Sequence, residues 1–239
     1  MKRYFAFCIA AFLTAACSHD EHAGHGAKKT EAEKPGVRLT LLPQGELSAG
    51  KQTEVLAKLL DLKTRSVITD EQLQTVHTQK FHLLVIDPTL TDYQHIHPQA
   101  TNTPGLYRFS FTPKFSGGYR AFADVTPVGG KQEFAFDDLG NPRGGQAKKA
   151  MASEATIGNY RFALSFDKPL EAGGMSMGTI NITDKKGAPV TALEPVMGAF
   201  AHIVAFSDDF RTVLHTHPMG KEPESASEHG GPELMFHIE

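Results

Sequence analysis

After the first 36 residues, hydrophobic and polar positions follow the pattern of short strands separated by turns. Tyr107, Phe109 and Phe111 alternate with polar residues, which is the period of two that a half-buried strand produces. Glycine, proline and aspartate pairs such as Gly129-Gly130 bound these runs and indicate turns. Short strands at this spacing predict an all-β fold of the sandwich type.

The first half of the chain contains six predicted strands, at residues 54–62, 81–86, 93–97, 106–112, 118–126 and 133–136. The leucines of 54–62 would also suit a helix. We interpret this segment as a strand because its later counterpart at 176–183, SMGTINIT, is rich in residues that favour strands.

Two stretches of the chain carry the same arrangement of histidines. Residues 81–98 read FHLLVIDPTLTDYQHIHP, and residues 201–218 read AHIVAFSDDFRTVLHTHP. Each histidine of the first stretch has a counterpart at an offset of 120 residues: His82, His95 and His97 correspond to His202, His215 and His217. We therefore predict two copies of one domain, each organised around this element.

The second copy is predicted to be shorter than the first. Residues 160–166 and 176–183 supply strands, and residues 232–239 match 105–112, but nothing matches the strand at 118–126. The predicted organisation is a first β-sandwich at 37–140, a polar linker at 141–155 and a shortened second β-sandwich at 156–239.

The N-terminus resembles a bacterial lipoprotein signal peptide at residues 1–17. Two basic residues precede the apolar run 4–16, which is too short for a membrane span of about 20 residues. Small residues before Cys17 resemble a lipobox and predict lipidation there, although Thr14 stands where leucine is more usual. The alternative is ordinary signal cleavage nearby, and either way we expect export.

Residues 18–36 are predicted to be a disordered tether, because they contain almost no large apolar side chain. The histidines of this tether could capture metal loosely or belong to a plain hydrophilic spacer. The net charge of −3 gives no indication of a nucleic-acid partner. The only cysteines are Cys8 and Cys17, which excludes a disulfide framework.

The spacing of the histidines predicts that they converge across a hairpin. If Ile86 pairs with Tyr93, then His82 lies opposite His97, and His95 points to the same face. The same arithmetic applies to the second copy. Three imidazoles on one face could bind copper or zinc.

A fourth ligand position lies five residues before each first histidine, and it holds His77 in one copy and Met197 in the other. A thioether favours Cu(I). The candidate metal ligands are therefore His77, His82, His95, His97, Met197, His202, His215 and His217. The alternative is that the histidines stabilise the hairpins. Met175 and Met177 offer two further thioethers on one face of a strand, for which we favour packing in the core or at the surface.

The sequence contains no pattern typical of an enzyme. It has no G-x-S-x-G, no H-E-x-x-H and no phosphate-binding glycine motif. The glutamate that follows His-x-His in cupins is also absent after His97. We therefore predict a protein without catalytic activity, and a metalloenzyme remains a weaker alternative.

Three segments, HLLVIDPTLTDYQHIHP, PGLYRFSF and GGYRAFADVTPVGG, resemble exported bacterial proteins with repeated Ig-like or cupredoxin-like modules. The segment PVTALEPVMGAFAHIVAF, followed by LHTHP, resembles a later module of the same group. Related single modules are the YtkA-like and FixH-like domains. The resemblance covers roughly residues 45–239 and implies two tandem Ig-like or cupredoxin-like sandwiches and a role in heavy-metal handling, especially of copper.

These observations predict a non-catalytic metal-binding lipoprotein that handles copper or zinc on the periplasmic side of the outer membrane. Its expected partners are the metal ion, the membrane through a lipid anchor, and an envelope efflux or metal-trafficking protein. The alternative is an envelope protein–protein interaction module in which the histidines are structural.

Overall fold

The structure is a computed structural model that describes residues 36–142, 152–171, 173–207 and 209–239. The predicted signal peptide, Cys17 and most of the tether and linker lie outside these residues. The described part is all-β, as predicted, with fourteen strands and one short 3-10 helix at Asp70–Gln72. It contains no helix whose length and hydropathy would let it cross a bilayer.

The first copy is a sandwich of two four-stranded antiparallel sheets. One sheet has the order β1-β2-β6-β5 and the other the order β4-β3-β7-β8. Their strands are β1 (Val37–Pro43), β2 (Thr53–Asp61), β3 (Phe81–Ile86), β4 (Tyr93–Ile96), β5 (Gln99–Ala100), β6 (Leu106–Phe111), β7 (Tyr119–Val125) and β8 (Glu133–Leu139). All six predicted strands are present, and β1 and β5 are additional.

The alternation of the sequence produces the core of this sandwich. Tyr107, Phe109 and Phe111 point from β6 into the space between the sheets, where Leu83 and Val85 of β3 meet them. The Tyr107 hydroxyl donates a hydrogen bond of 3.1 Å to the Ile68 carbonyl oxygen. The buried phenol is therefore satisfied inside the core.

The second copy repeats part of this plan. Its strands are β9 (Glu154–Ile157), β10 (Tyr160–Phe166), β11 (Ser176–Asp184), β12 (Ile203–Phe206), β13 (Val213–Thr216) and β14 (Glu233–Ile238). One sheet has the order β14-β11-β10-β9, while β12 and β13 form a separate hairpin. Strand β14 pairs with β11 as β6 pairs with β2. Within the described residues of this copy, no strand corresponds to β7 or β8, so the copy is shortened as predicted.

The shortened copy packs on the first copy through its hairpin. Ile203 of β12 faces the second copy's own sheet, whereas Val204 and Phe206 pack with Phe122 and Leu84 on the outer face of the first copy's sheet. This contact explains why β3 is buried at every position. The hairpins β3-β4 and β12-β13 therefore face one another, with their histidine-bearing ends together.

Candidate metal centre

Both hairpins have the predicted register. Ile86 pairs with Tyr93, and Leu84 pairs with His95. In the second copy, Val204 pairs with His215. The histidines on the facing sides of the two hairpins therefore come together at the contact between the copies.

The histidines of the first copy form a close trio, which we call trio one: His82, His95 and His97. His82 Nδ1 lies 3.0 Å from His95 Nε2 and 3.2 Å from His97 Nε2. Nitrogen ligands at about 2.0–2.1 Å from a tetrahedral metal lie about 3.3 Å from one another. The imidazoles of trio one are thus already close to ligand spacing.

The second copy repeats this geometry with the same ring atoms, in what we call trio two: His202, His215 and His217. His202 Nδ1 lies 3.2 Å from His215 Nε2 and 3.0 Å from His217 Nε2. The ring centres of His95 and His215 are 5.0 Å apart, and those of His95 and His202 are also 5.0 Å apart. The six imidazoles therefore form one cluster that both copies build.

His95 occupies the middle of this cluster. Two sets of side chains have ligand atoms that all lie within 4.8 Å of one another: one is trio one, and the other is His95 with His202 and His215. His95 is the member that the two sets share. These histidine groups could hold a metal ion.

Backbone carbonyls determine which nitrogen of the first histidine in each copy is free. His82 Nε2 donates to the Val76 carbonyl oxygen at 3.0 Å, and His202 Nε2 donates to the Val196 carbonyl oxygen at 2.9 Å. Because a carbonyl oxygen only accepts, the proton lies on Nε2 and the Nδ1 lone pair points into the cluster. Metal-binding histidines commonly donate their other N–H group to such an acceptor.

Two matching turns aim these carbonyls. Residues 76–79 and 196–199 both form two-residue turns closed by paired backbone hydrogen bonds. Both central residues have positive φ: His77 at 44° and Thr78 at 73° in one turn, Met197 at 51° and Gly198 at 80° in the other. A β-branched residue such as Thr78 is disfavoured in this region, and strain of this kind is concentrated at functional sites.

A carboxylate of the first copy fixes the tautomer of a histidine of the second. Asp124 Oδ2 accepts a hydrogen bond of 2.7 Å from His215 Nδ1, and both side chains are buried. Asp124 Oδ1 accepts another from Gln132 Nε2 at 2.8 Å. In the neutral tautomer that this hydrogen bond selects, Nε2 of His215 carries a lone pair that faces His202 Nδ1.

Burial favours the neutral form of five of the six imidazoles. Desolvation lowers the pKa of His97 and of His202 to about 4, and the pKa of His217 to about 2. The pKa values of His82 and His95 are lowered by the same cause. Neutral imidazole is the form that binds metal, so the site is ready for a cation at neutral pH.

The predicted fourth ligand positions lie beside the cluster. The His77 ring packs on the His217 ring of the other copy, with 3.6 Å between centroids, and its Nδ1 lies 3.3 Å from Glu222 Oε1. Met197 occupies the matching turn of the second copy. The residue after it, Gly198, lies so close to Thr78 of the first turn that a side chain at position 198 would approach Thr78. Neither residue is in the groups defined above, so their ligand roles stay predictions.

Sequence reasoning did not identify Asp124 or the Val76 and Val196 carbonyls. Asp124 was in a predicted strand, and it pairs with His82 in the register of β3 and β7. An acidic residue within an otherwise buried strand was the available signal. The carbonyls could not be identified, because a backbone group leaves no trace in residue identity.

The fold and the cluster together define a β-sandwich protein with a histidine centre at the contact between two repeats. The chain matches the model of a domain of unknown function (DUF8832) over residues 31–137 and 155–239. Because this match covers more than half of the chain, the protein belongs to that family. Curated proteins give no match. The resemblance to YtkA-like and FixH-like modules stays a prediction.

We expect Asp124→Asn to lower metal affinity by about 10- to 100-fold, as is typical when the partner behind a histidine ligand is lost. Asparagine keeps the shape of aspartate but removes the charge that orients His215. Competition with a chromophoric chelator would measure the change. Asp138→Asn is the matched control, because Asp138 lies on the neighbouring strand and pairs with Arg120 instead. Equal affinities in the two variants would contradict this role.

Proposed function

We propose that this protein is a non-catalytic metal-binding protein of the bacterial cell envelope, and that its histidine cluster binds copper or, second, zinc. The proposal rests on six buried or half-buried imidazoles that two repeats direct at one another. Its ligands are trio one and trio two, with His77 and Met197 as additional candidates.

One observation carries the proposal. His202 Nε2 donates to Val196, and the neutral tautomer of His215 that Asp124 selects carries its proton on Nδ1, so two lone pairs face each other across 3.2 Å in that tautomer. Two lone pairs at that distance repel each other when nothing lies between them. A cation shared by the two nitrogens makes the same geometry favourable.

The donor set favours copper over other divalent ions. Imidazole suits copper, zinc, iron and nickel, and affinity for a given site is highest for Cu²⁺ in the usual order. The residues that the structure describes include no cysteine. The described site therefore lacks the thiolate ligands that hold Fe–S clusters. Zinc is the second candidate because it readily accepts tetrahedral histidine sites.

The cellular part of the proposal comes from the N-terminal sequence. Export through residues 1–17 and lipidation of Cys17 would hold the protein at the periplasmic side of the outer membrane. There, a reversible histidine site would exchange its ion with an envelope efflux or metal-trafficking protein.

Isothermal titration of the purified protein with Cu²⁺ and with Zn²⁺ at pH 7 tests the proposal. We expect at least one equivalent of tightly bound metal. A ligand at 100 times its Kd stabilises a protein by about 2.7 kcal/mol, which raises Tm by about 5–10 °C for a chain of this size.

The control is His229→Ala, which removes an exposed histidine outside the cluster. We expect it to bind metal as the wild type does. If the wild type binds no stoichiometric metal and loss of cluster histidines changes only stability, the histidines join the two copies structurally. The interaction-module alternative would then replace metal handling.

A further inference from the structure

A second group of soft ligands lies on the outer face of the second copy's sheet. Strand β14 alternates so that Leu234, Phe236 and Ile238 are buried while Met235 and His237 are exposed. Met175, just before β11, is 55% exposed, and Met235 is 45% exposed. Methionine is normally among the most buried residues, so an exposed group of them is unusual.

The strand register brings these side chains together. Met177 of β11 pairs directly with His237 of β14, so the two side chains share a face with Cβ atoms about 4.5–5.5 Å apart. Met235 pairs with Thr179, which places it diagonal to Met177 on the same face. Met175 is two residues before Met177 and immediately precedes β11, so the alternation of β11, if extended by one residue, would place it on the same side.

Another methionine connects this face to the histidine cluster. Met219 is 46% exposed, and its backbone N–H donates a hydrogen bond of 2.6 Å to the Met235 carbonyl oxygen. It lies only two residues after His217 of trio two. Four of the seven methionines of the chain thus lie along one path from the exposed sheet towards the cluster.

We propose that this methionine patch, formed by Met175, Met177, Met235 and His237, binds Cu(I). Thioether sulfur is a soft ligand that Cu(I) prefers, and imidazole also suits copper. Zinc sites are built from Cys, His, Asp and Glu side chains and not typically from methionine. The unbranched methionine side chain has three rotatable bonds, which lets Met177 and His237 close on one ion from opposed strand positions. The sequence favoured a packing role, in the core or at the surface, for Met175 and Met177; an exposed fraction of 55% leaves only the surface for Met175.

Met219 lies between the methionine patch and the histidine cluster, so it could relay an ion from one to the other. A Cu(I) ion held by Met235 could pass to Met219 and from there towards His217, because those backbones are already joined. This delivery role rests on the proposed function of the histidine cluster, whereas Cu(I) binding at the patch does not.

An anaerobic titration with Cu(I) in competition with bicinchoninate counts the bound equivalents. We expect the double variant Met177→Leu with Met235→Leu to lose one Cu(I) equivalent while its Zn²⁺ titration stays unchanged. Leucine conserves volume and costs less than about 1.5 kcal/mol, so the fold is retained. With Ag(I) and methyl-labelled methionine, the Met177 and Met235 methyl resonances should shift at the first equivalent.

Two further variants separate this proposal from the histidine site. His82→Ala with His202→Ala should keep the Cu(I) equivalent of the patch, and His237→Ala should weaken it where His229→Ala does not. If the leucine variant binds as many Cu(I) equivalents as the wild type, the patch is not a site. If the patch binds Cu(I) but the wild type takes up neither Cu²⁺ nor Zn²⁺, the proposed function fails and the patch stands.

Discussion

Replacing His95 by alanine is expected to abolish tight metal binding while leaving the metal-free protein folded. His95 is the ligand that the two histidine groups share. Losing only the hydrogen-bond partner of a metal-binding histidine costs about 10- to 100-fold in metal affinity. Losing the shared histidine itself should therefore lower metal affinity by more than about 100-fold. The measurement is the metal-induced rise in Tm, which we expect to disappear.

The metal-free protein should tolerate this substitution because His95 is not satisfied without an ion. Its Nδ1 is buried with no hydrogen-bond partner among the described residues. A buried polar atom left unpaired costs about 1–3 kcal/mol. Alanine removes that cost, which offsets part of the packing that is lost.

His97→Ala provides the matched comparison, because His97 belongs to trio one only. It should weaken metal binding less than His95→Ala does. If His95→Ala lowers the Tm of the metal-free protein strongly and leaves the metal-induced rise intact, His95 is a structural residue of the joint between the copies. Equal metal affinity in His95→Ala and His97→Ala would show that no shared ligand exists.

The hairpin register could be predicted from the sequence because the histidine pattern occurs twice. Pairing Ile86 with Tyr93 brings three imidazoles to one face in both copies, whereas a slip of one residue would destroy that face, and both hairpins have the predicted register. The strands could be predicted from the alternation of apolar and polar residues. In β6, for example, one exposed residue stands between each buried aromatic residue and the next. Local period and repetition therefore determined the fold class and the hairpins.

The joining of the two sites could not be predicted, because it depends on how the repeats pack. The sequence showed that the second copy lacks a counterpart of β7, but not what covers the hairpin instead. Phe206 and Val204 cover Phe122 of the first copy, and this contact brings the trios together. Asp124 acts across the same contact, so its role was visible only once both copies were in place.

Acidification is expected to destabilise the metal-free protein strongly between about pH 6.5 and pH 4. Burial lowers the pKa of His97 and of His202 to about 4, against about 6.5 in the unfolded chain. Below about pH 6.5 these histidines bind protons in the unfolded state but stay neutral in the folded state. The free energy of unfolding therefore falls as the pH falls, until the pH reaches the pKa of the histidines in the folded protein. Each fully buried histidine contributes up to about 1.4 kcal/mol per pH unit.

Half-buried histidines contribute less than this limit, because solvent screens them. We expect the free energy of unfolding to be at least about 3 kcal/mol lower at pH 4.5 than at pH 7, which lowers Tm by about 6–12 °C. A carboxylate whose pKa is lowered by folding loses its contribution mainly below this window, because its ordinary pKa is already about 4. Burial raises the pKa of Asp87, for example, but hydrogen bonds from Thr89, Asp92 and Thr91 together outweigh burial and hold that pKa below its usual value, so its contribution is lost only at lower pH.

Urea unfolding at a series of pH values, with and without metal, measures this effect. The variant His97→Asn with His217→Asn should show a shallower dependence on pH, because two groups that resist protonation are gone. Bound metal should move the loss of stability to lower pH, since the ion and the proton compete for the same lone pairs. At pH 7 the five imidazoles whose pKa burial lowers are already neutral, so metal titrations in buffers of different ionisation enthalpy should show little proton release from them. A stability that stays flat from pH 7 to pH 4.5 would mean that the cluster accepts protons as freely as the unfolded chain, which is incompatible with a site held ready for a cation.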